Sequence, residues 1–159
     1  MPWATDPTEN FNAMFLTQDD LKNNIYGYQL HEITGGNESI VQTALEAAEN
    51  ELRAYLTPNN DRRWLDGRPV YDIKVIFSAK KEKRNPLLVR HGIVIAKWWI
   101  VELSNVDIIY QQAKERYDMT RRWLEDLAAG KVNLDLPLKN PDTRNVFIYG
   151  SRKKFNHEL

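Results

Sequence analysis

Three histidines are the residues of this sequence best suited to bind a metal or to transfer a proton near neutral pH. They are His31, His91 and His157, and none has a second ligand at a metal-binding spacing such as H-x-x-x-H. The sequence also contains no cysteine, no G-x-S-x-G nucleophile motif and no Walker lysine. We therefore expect no metal site, no cofactor and no covalent catalysis.

Two pairs of adjacent carboxylates are the other arrangement suited to acid–base chemistry. Asp19-Asp20 follows Thr17, which places Asp20 where it completes a capping box at a helix start. Glu125-Asp126 lies within a helical pattern, where Arg122 is spaced to pair with Asp126 four residues on. Capping and ion pairing account for both pairs, so the sequence predicts a protein that is not an enzyme.

A basic run carries the charge pattern best suited to phosphate groups, formed by Lys80, Lys81, Lys83 and Arg84. Residues 61–90 carry nine basic and four acidic side chains, a net charge of +5, whereas residues 1–60 carry two and nine, a net charge of −7. This asymmetry suits either nucleic acid or the docking of one subunit's acidic part on its neighbour's basic part. A solvated surface explains it equally well. Any DNA contact would be with the backbone, because no recognition helix accompanies the run.

The helices that must position these groups follow from the spacing of the apolar residues. The longest pattern covers residues 104–129, with Ser104 and Asp107 as a predicted capping box and Gly130 as its stop. A second helix is predicted from Glu38 to Leu56, after a turn at Gly35-Gly36. A short helix should begin at Thr17 and end at Gly27.

The remaining helix is predicted after Pro86 and is apolar nearly all round. Asn85 suits the N-cap and Pro86 the first helical position, and the pattern continues to about Leu103. Because residues 93–101 are rich in β-branched side chains, a buried strand is an open alternative there. Trp98 and Trp99 point about 100° apart on a helix, so we expect one of them to be covered by another subunit.

The segments outside the helices are predicted to be extended. Alternating apolar residues at 71–77 and the Asp66-Gly67 turn signal predict a β-hairpin projecting within 59–85. Residues 1–15 read as an N-terminal arm and 132–159 as an extended tail around a helical core at 16–131. We expect the arms to reach a subunit interface through Trp3 and Phe147.

Length and hydropathy place limits on the class of protein. A chain of 159 residues with 42% hydrophobic residues suits one domain with a real core. The longest apolar stretch, 93–101, is interrupted by Lys97 and is too short to span a bilayer. No signal-peptide pattern opens the sequence, so we expect the protein in the cytoplasm and away from membranes.

The order of these parts resembles the head–tail connector, or neck, proteins of Mu-like tailed bacteriophages. The resemblance covers residues 15–56 and 86–155 and departs from the family at 57–85, where a shorter connection is expected. It is carried by FLTQDDL at 15–21, ALEAAENEL at 44–52, ERYD at 115–118, RWLE at 122–125 and GSRKKF at 150–155.

The resemblance implies a mainly α fold, a four-helix connector-type bundle, and a structural role in a phage or prophage. Such a protein would assemble as a ring between portal and tail, completing the head in the host bacterial cytoplasm and residing in the virion neck. Its partners would be further copies of itself, the portal and tail-completion proteins. In a ring, Lys80, Lys81, Lys83 and Arg84 would line a DNA channel. The alternative is a small nucleic-acid-binding module that uses the basic 62–84 segment.

Overall fold

The computed structural model describes residues 14–23, 27–57, 68–104 and 109–139, and this part of the chain is mainly helical. Its α-helices are α1 (Gln18–Lys22), α2 (Gly27–Thr34), α3 (Glu38–Leu56), α4 (Ile73–Ser78), α5 (Pro86–Ser104) and α6 (Tyr110–Ala128). A 3₁₀ turn at Lys81–Lys83 links α4 to α5. The predicted mainly α class is therefore confirmed for the described residues.

Helix α3 has the bounds that its sequence predicts. Gly35 and Gly36 both have positive φ, 60° and 76°, which gives the tight turn before the helix. The Asn37 side chain then caps the helix by accepting a hydrogen bond from the Ser39 N–H at 3.0 Å. One face of α3 is buried in the core, through Val41, Ala44, Leu45, Ala48, Leu52 and Leu56.

Helix α5 is the most apolar element of the fold and confirms the helical alternative for residues 93–101. Asn85 accepts hydrogen bonds from the Leu87 and Leu88 N–H groups, so it is the predicted N-cap ahead of Pro86. The helix packs against α3, α6 and α2. Burial from several sides explains why α5 lacks the polar face of an ordinary surface helix.

Helix α6 begins later than its sequence predicts. Ser104 is the last residue of α5, and α6 starts at Tyr110 without a side-chain cap, so the single helix predicted from 104 is wrong. The predicted partner Asp107 lies outside the described residues. The end of the helix agrees with prediction, because Gly130 has φ 76° and the Lys131 N–H donates to the Asp126 carbonyl in a Schellman motif.

The predicted strand at 71–77 is wrong, and with it the described part of the predicted hairpin. Residues Ile73–Ser78 form α4, whose first turn is capped by the Asp72 carboxylate accepting from the Val75 N–H at 3.2 Å. The alternating apolar residues predicted a strand wrongly, because the residues that are buried here share one face of a helix. Ile76 and Phe77 are buried next to each other, while Val75 is half exposed. The Asp66-Gly67 turn signal lies outside the described residues.

The short N-terminal helix also differs from its prediction. Thr17 and Asp20 form the predicted capping box, but α1 ends at Lys22. Gly27, predicted as a helix stop, is instead the first residue of α2. The sequence prediction missed α2, because its eight residues carry few apolar side chains.

The core is built mainly by α3, α5 and α6, and α1, α2 and α4 close it. This arrangement of three long and three short helices replaces the predicted four-helix bundle. The extended residues 132–139 add Leu136 to the core, and Leu138 makes an antiparallel bridge with Tyr71. No described helix meets the length and apolarity needed to cross a membrane. Residues 1–13 and 140–159, with Trp3 and Phe147, lie outside the described residues.

Gly92 marks the closest helix packing in the core and yields a stability prediction. A Cβ atom at this position would lie 2.8 Å from both Leu16 δ-methyls and 2.9 Å from Leu52 Cδ1. Both leucines are fully buried, so they have little room to move. We expect Gly92→Val to lower the free energy of unfolding by about 1–3 kcal/mol in urea titrations. Arg90→Val, exposed on the same helix, is the matched control and should cost much less.

Candidate functional site

The basic run forms an exposed turn between α4 and α5, defined here as the basic turn, residues 80–83. Lys80, Lys81 and Lys83 are exposed. The turn is closed by a hydrogen bond from the Lys83 N–H to the Lys80 carbonyl at 3.1 Å. Within the described structure, none of these three ammonium groups is in an ion pair. The turn therefore presents three lysine charges to any partner.

Arg84 lies next to the basic turn but has a different role. Its guanidinium binds the Asp20 carboxylate through two hydrogen bonds of 2.6 and 2.9 Å, the bidentate arrangement that favours arginine. It also donates to the Phe15 carbonyl at 2.7 Å and to the Lys81 carbonyl at 3.1 Å. Arg84 thus ties the basic turn to the segment that leads into α1, and its charge is neutralised by Asp20.

The Arg84–Asp20 pair is largely withdrawn from water. The two side chains keep only 14% and 13% of their exposure, so each charge depends on the other. Burial opposes ionisation of Asp20, but hydrogen bonds from Arg84 and Thr17 outweigh it and hold the pKa of the Asp20 carboxyl below its usual value. Asp20 therefore carries a full charge at neutral pH.

Lys81 has an unusual backbone conformation at the start of the basic turn. Its φ of 50° is in the left-handed region, and among the described residues it is the one non-glycine with positive φ. A side chain in that region costs roughly 1–2 kcal/mol relative to glycine. The Lys81 carbonyl accepts from both the Arg84 N–H and its guanidinium, and these bonds hold the conformation. The turn is a fixed structure whose lysines stand in a defined arrangement.

An open groove of about 630 Å³ lies beside the basic turn, between α4 and the extended segment that follows α6. Its floor is apolar, from Ile76, Leu136 and Pro137, and Val75 stands half exposed at its edge. Its charged lining residues are Lys80, Lys83, Arg84 and Asp135. An apolar floor with charged sides is typical of a surface that binds protein better than small anions.

The two tryptophans predicted at a subunit interface are both engaged within the subunit. Trp98 stacks on Tyr117 with a centroid distance of 5.3 Å and also contacts the ring of Tyr110 at 5.2 Å. Trp99 donates its indole N–H to the Glu51 carboxylate at 3.2 Å. Part of each ring is still accessible.

Glu51 joins the three long helices through hydrogen bonds. Besides Trp99 of α5, its carboxylate accepts from the Tyr117 hydroxyl of α6 at 2.8 Å. Burial and the bond to this carboxylate raise the pKa of Tyr117, since both disfavour the phenolate. The pKa of Tyr55 is raised by burial and by the nearby Glu51 and Glu125. Glu51 therefore links α3 to both α5 and α6.

Two large side chains on either side of residues 105–108, which lie outside the described residues, are exposed. Leu103 is 44% exposed near the end of α5, and Tyr110 is 38% exposed at the start of α6. We define the aromatic end as these two residues and Trp98, whose ring contacts that of Tyr110. Leu103 was not among the residues that sequence reasoning selected, because a leucine in an apolar helix gives no sign of facing solvent.

Of the three histidines, the structure describes His31 on α2 and His91 on α5. His91 stacks on Trp123 at 4.2 Å, and its Nδ1 lies 3.2 Å from the Thr120 hydroxyl. Burial and the charge of Arg90 lower the pKa of His91. The described residues contain no group of three or more histidine, aspartate or glutamate side chains placed to hold a metal. His157 lies outside the described residues.

Asp20 and Glu51 are the carboxylates that join separate elements of the fold. Of their contacts, the sequence predicted only the capping box between Asp20 and Thr17. Asp20 was predicted as a cap, but its partner Arg84 is 64 residues away and no local signal links them. The predicted Arg122–Asp126 pair is replaced by Lys131, whose ammonium lies 3.0 Å from Asp126. Glu49 and Arg53, spaced four residues apart on α3, form an ion pair at 2.8 Å.

Removing the Asp20 charge tests the importance of the pair with Arg84. Asp20→Asn leaves a buried guanidinium without its counter-charge. We therefore expect the free energy of unfolding, measured by urea titration at pH 7, to fall by about 2–4 kcal/mol. Because the folded-state pKa of Asp20 is depressed, its contribution is present above about pH 4 and is lost as the pH falls further. The difference in free energy of unfolding between the wild type and Asp20→Asn should therefore become smaller below about pH 4. Asp19→Asn, its exposed neighbour, should change stability by less than about 0.5 kcal/mol.

Tyr117→Phe tests the Glu51 junction. At neutral pH the variant should lose about 1 kcal/mol, the usual contribution of one hydrogen bond. The raised pKa means that the folded wild type keeps a proton that the unfolded chain releases above about pH 10, so its stability falls there. In urea titrations from neutral to alkaline pH, the free energy of unfolding should fall less for Tyr117→Phe than for the wild type. The fall that remains in the variant is due to Tyr55, whose pKa is also raised. Equal alkaline slopes would contradict the assignment. Tyr110→Phe controls for loss of an exposed hydroxyl.

Comparison with known proteins agrees with the sequence resemblance at the level of the family. The family model described as Bacteriophage Mu, Gp36 matches residues 15–147. No curated protein and no solved structure matches the chain. The matched span runs from the segment tied down by Arg84 past the extended residues that follow α6, and covers most of the sequence. This protein therefore belongs to the bacteriophage Mu Gp36 family.

Proposed function

We propose that this protein is a structural component of a phage or prophage neck, which assembles as a ring between portal and tail. The observation that supports the proposal is the family match over residues 15–147, since membership of a bacteriophage Mu family favours a structural or morphogenesis protein. The motifs at 115–118 and 122–125, which carry the resemblance to neck proteins, lie on α6, where Leu124 joins the core and most of the other motif residues reach the surface.

The mechanism we propose is binding and assembly without turnover. A ring forms when each subunit contacts the next through two different surfaces and the rotation closes. The described structure offers suitable surfaces, because the aromatic end exposes Leu103 and Tyr110, and the basic turn lies on another element. A core braced by Arg84 and Glu51 would keep these surfaces in a constant relative position. Portal and tail-completion proteins would then occupy the two faces of the ring.

A small nucleic-acid-binding module is the second candidate function, and its support is narrower. Of the 62–84 segment, the structure describes 68–84, and Arg84 is neutralised by Asp20. The three exposed lysines lie around Glu82, and Asp135 lines the adjoining groove. Strong backbone binding to DNA draws on six to ten phosphate contacts in well-studied cases, and one copy of this turn offers about half that number or fewer.

Deletion of the gene from the phage or prophage that carries it tests the neck role. We expect heads and tails to accumulate separately in electron micrographs, because the platform between them is missing, and expression of the wild-type protein should restore joined particles. Complementation with Leu103→Glu should fail, since a charge at the aromatic end would oppose association. Asn133→Glu, exposed beyond the far end of α6, is the matched control and should restore particles. Normal tailed particles after deletion would contradict the proposal.

A further inference from the structure

The described structure separates negative and positive charge onto different elements. No lysine or arginine occurs between Lys22 and Arg53, and this stretch contains α2 and most of α3. The segment from α4 to the start of α5 is instead dominated by lysine and arginine. Residues 1–60 carry a net charge of −7 and residues 61–90 a net charge of +5, so the sequence contains an acidic and a basic region.

The acidic region presents three exposed carboxylates, which we define as the acidic face: Glu32, Glu38 and Glu46. The other two carboxylates of α3 are used inside the subunit. Glu49 accepts from the Phe15 N–H and pairs with Arg53, and Glu51 binds Trp99 and Tyr117. Glu46 accepts a hydrogen bond from the Gln42 amide on the same helix at 3.0 Å but stays exposed, so the acidic face is accessible to an external partner.

Glu38 and Glu46 lie eight residues apart on α3, so they are about 12 Å apart along the axis and about 80° apart around it, within one broad face of the helix. Exposed residues between them include Ser39 and Thr43, whose small side chains leave the helix backbone approachable. A helix with small residues between two charges can lie in a groove while its glutamates reach the sides. This is the shape that the groove beside the basic turn can accept.

We propose that the basic turn and its groove bind the acidic face of a second copy of this chain. The glutamates of α3 would pair with Lys80, Lys81 and Lys83, and the helix surface would cover the half-exposed Val75 and the apolar floor of the groove. The contact joins two different surfaces, so it is head-to-tail and suits a ring. The inference rests on the proposed function and specifies how adjacent subunits recognise each other.

A second copy fits this surface better than the phosphate backbone of DNA. The groove has an apolar floor, which a helix surface can cover and a phosphate backbone cannot. Protein interfaces combine an apolar centre with a charged rim, as found here. Complementary charges also direct the register of association and its rate. The fixed conformation of the turn, held by Arg84, would keep the three lysines ready for one partner geometry.

A charge exchange tests the proposal with the full-length protein. One variant carries Lys80→Glu, Lys81→Glu and Lys83→Glu, and a second carries Glu32→Lys, Glu38→Lys and Glu46→Lys. Self-association is measured by size-exclusion chromatography with light scattering over protein and salt concentration. We expect wild-type association to weaken with salt. Each variant alone should associate at least about 100-fold more weakly, because like charges then face each other.

Mixing the two variants supplies the decisive result. The reversed lysine positions of one variant face the reversed glutamate positions of the other, so the mixture should regain most of the lost association. A chain carrying all six substitutions should also recover. Arg122→Glu with Glu115→Lys, at exposed sites on α6, controls for charge reversal as such and should leave association unchanged. Circular dichroism melts confirm that each variant is folded.

Three results would overturn the proposal. One is unchanged association of the lysine variant, and another is a mixture that stays dissociated. The third is a wild type that stays monomeric at every concentration while the lysine variant loses salt-dependent affinity for a duplex oligonucleotide, which would assign the turn to DNA. None of these contradicts the neck role, which the deletion phenotype tests separately.

Discussion

The ion pair between Arg84 and Asp20 is the interaction on which the arrangement of this protein's surface depends. It joins residues 64 positions apart, and the same guanidinium also holds the carbonyl groups of Phe15 and Lys81. Without it, the segment leading into α1 and the turn ahead of α5 would have no common anchor. A buried pair of this kind adds little net stability, since desolvation offsets attraction. Its contribution is to specify which of several packings the N-terminal segment adopts.

In the core, close packing and hydrogen bonds fix the relative positions of the three long helices. Helix α5 is apolar on nearly every side, which permits it to pack against neighbours but does not by itself choose their positions. Gly92 allows Leu16 and Leu52 to approach closely, and Glu51 links α3 to one side chain on α5 and one on α6. Close contact and directed hydrogen bonds together select one geometry from many that would bury similar apolar area.

Local signals predicted much of this fold, and long-range pairing accounts for the rest. The bounds of α3, the Asn85 cap and the Gly130 stop follow from neighbouring residues, and the structure agrees with them. The strand predicted at 71–77 failed because alternating apolar residues also suit a short helix, and the Asp72 cap decided between them. The exposure of the basic turn was readable from sequence. The neutralisation of Arg84 was not, because its partner lies in a distant segment.

The span of the Arg84 contacts has a consequence for the order of events during synthesis. Phe15 and Asp20 leave the ribosome more than sixty residues before Arg84, and Glu49, which binds the Phe15 N–H, also emerges later. The segment that leads into α1 therefore reaches its final position only after α3 and the turn before α5 have been made. Contacts of such long separation close late, since the intervening loop must first be ordered. A nascent chain thus places the segment that leads into α1 only after Arg84 has been made, while α5 and α6 are still to follow.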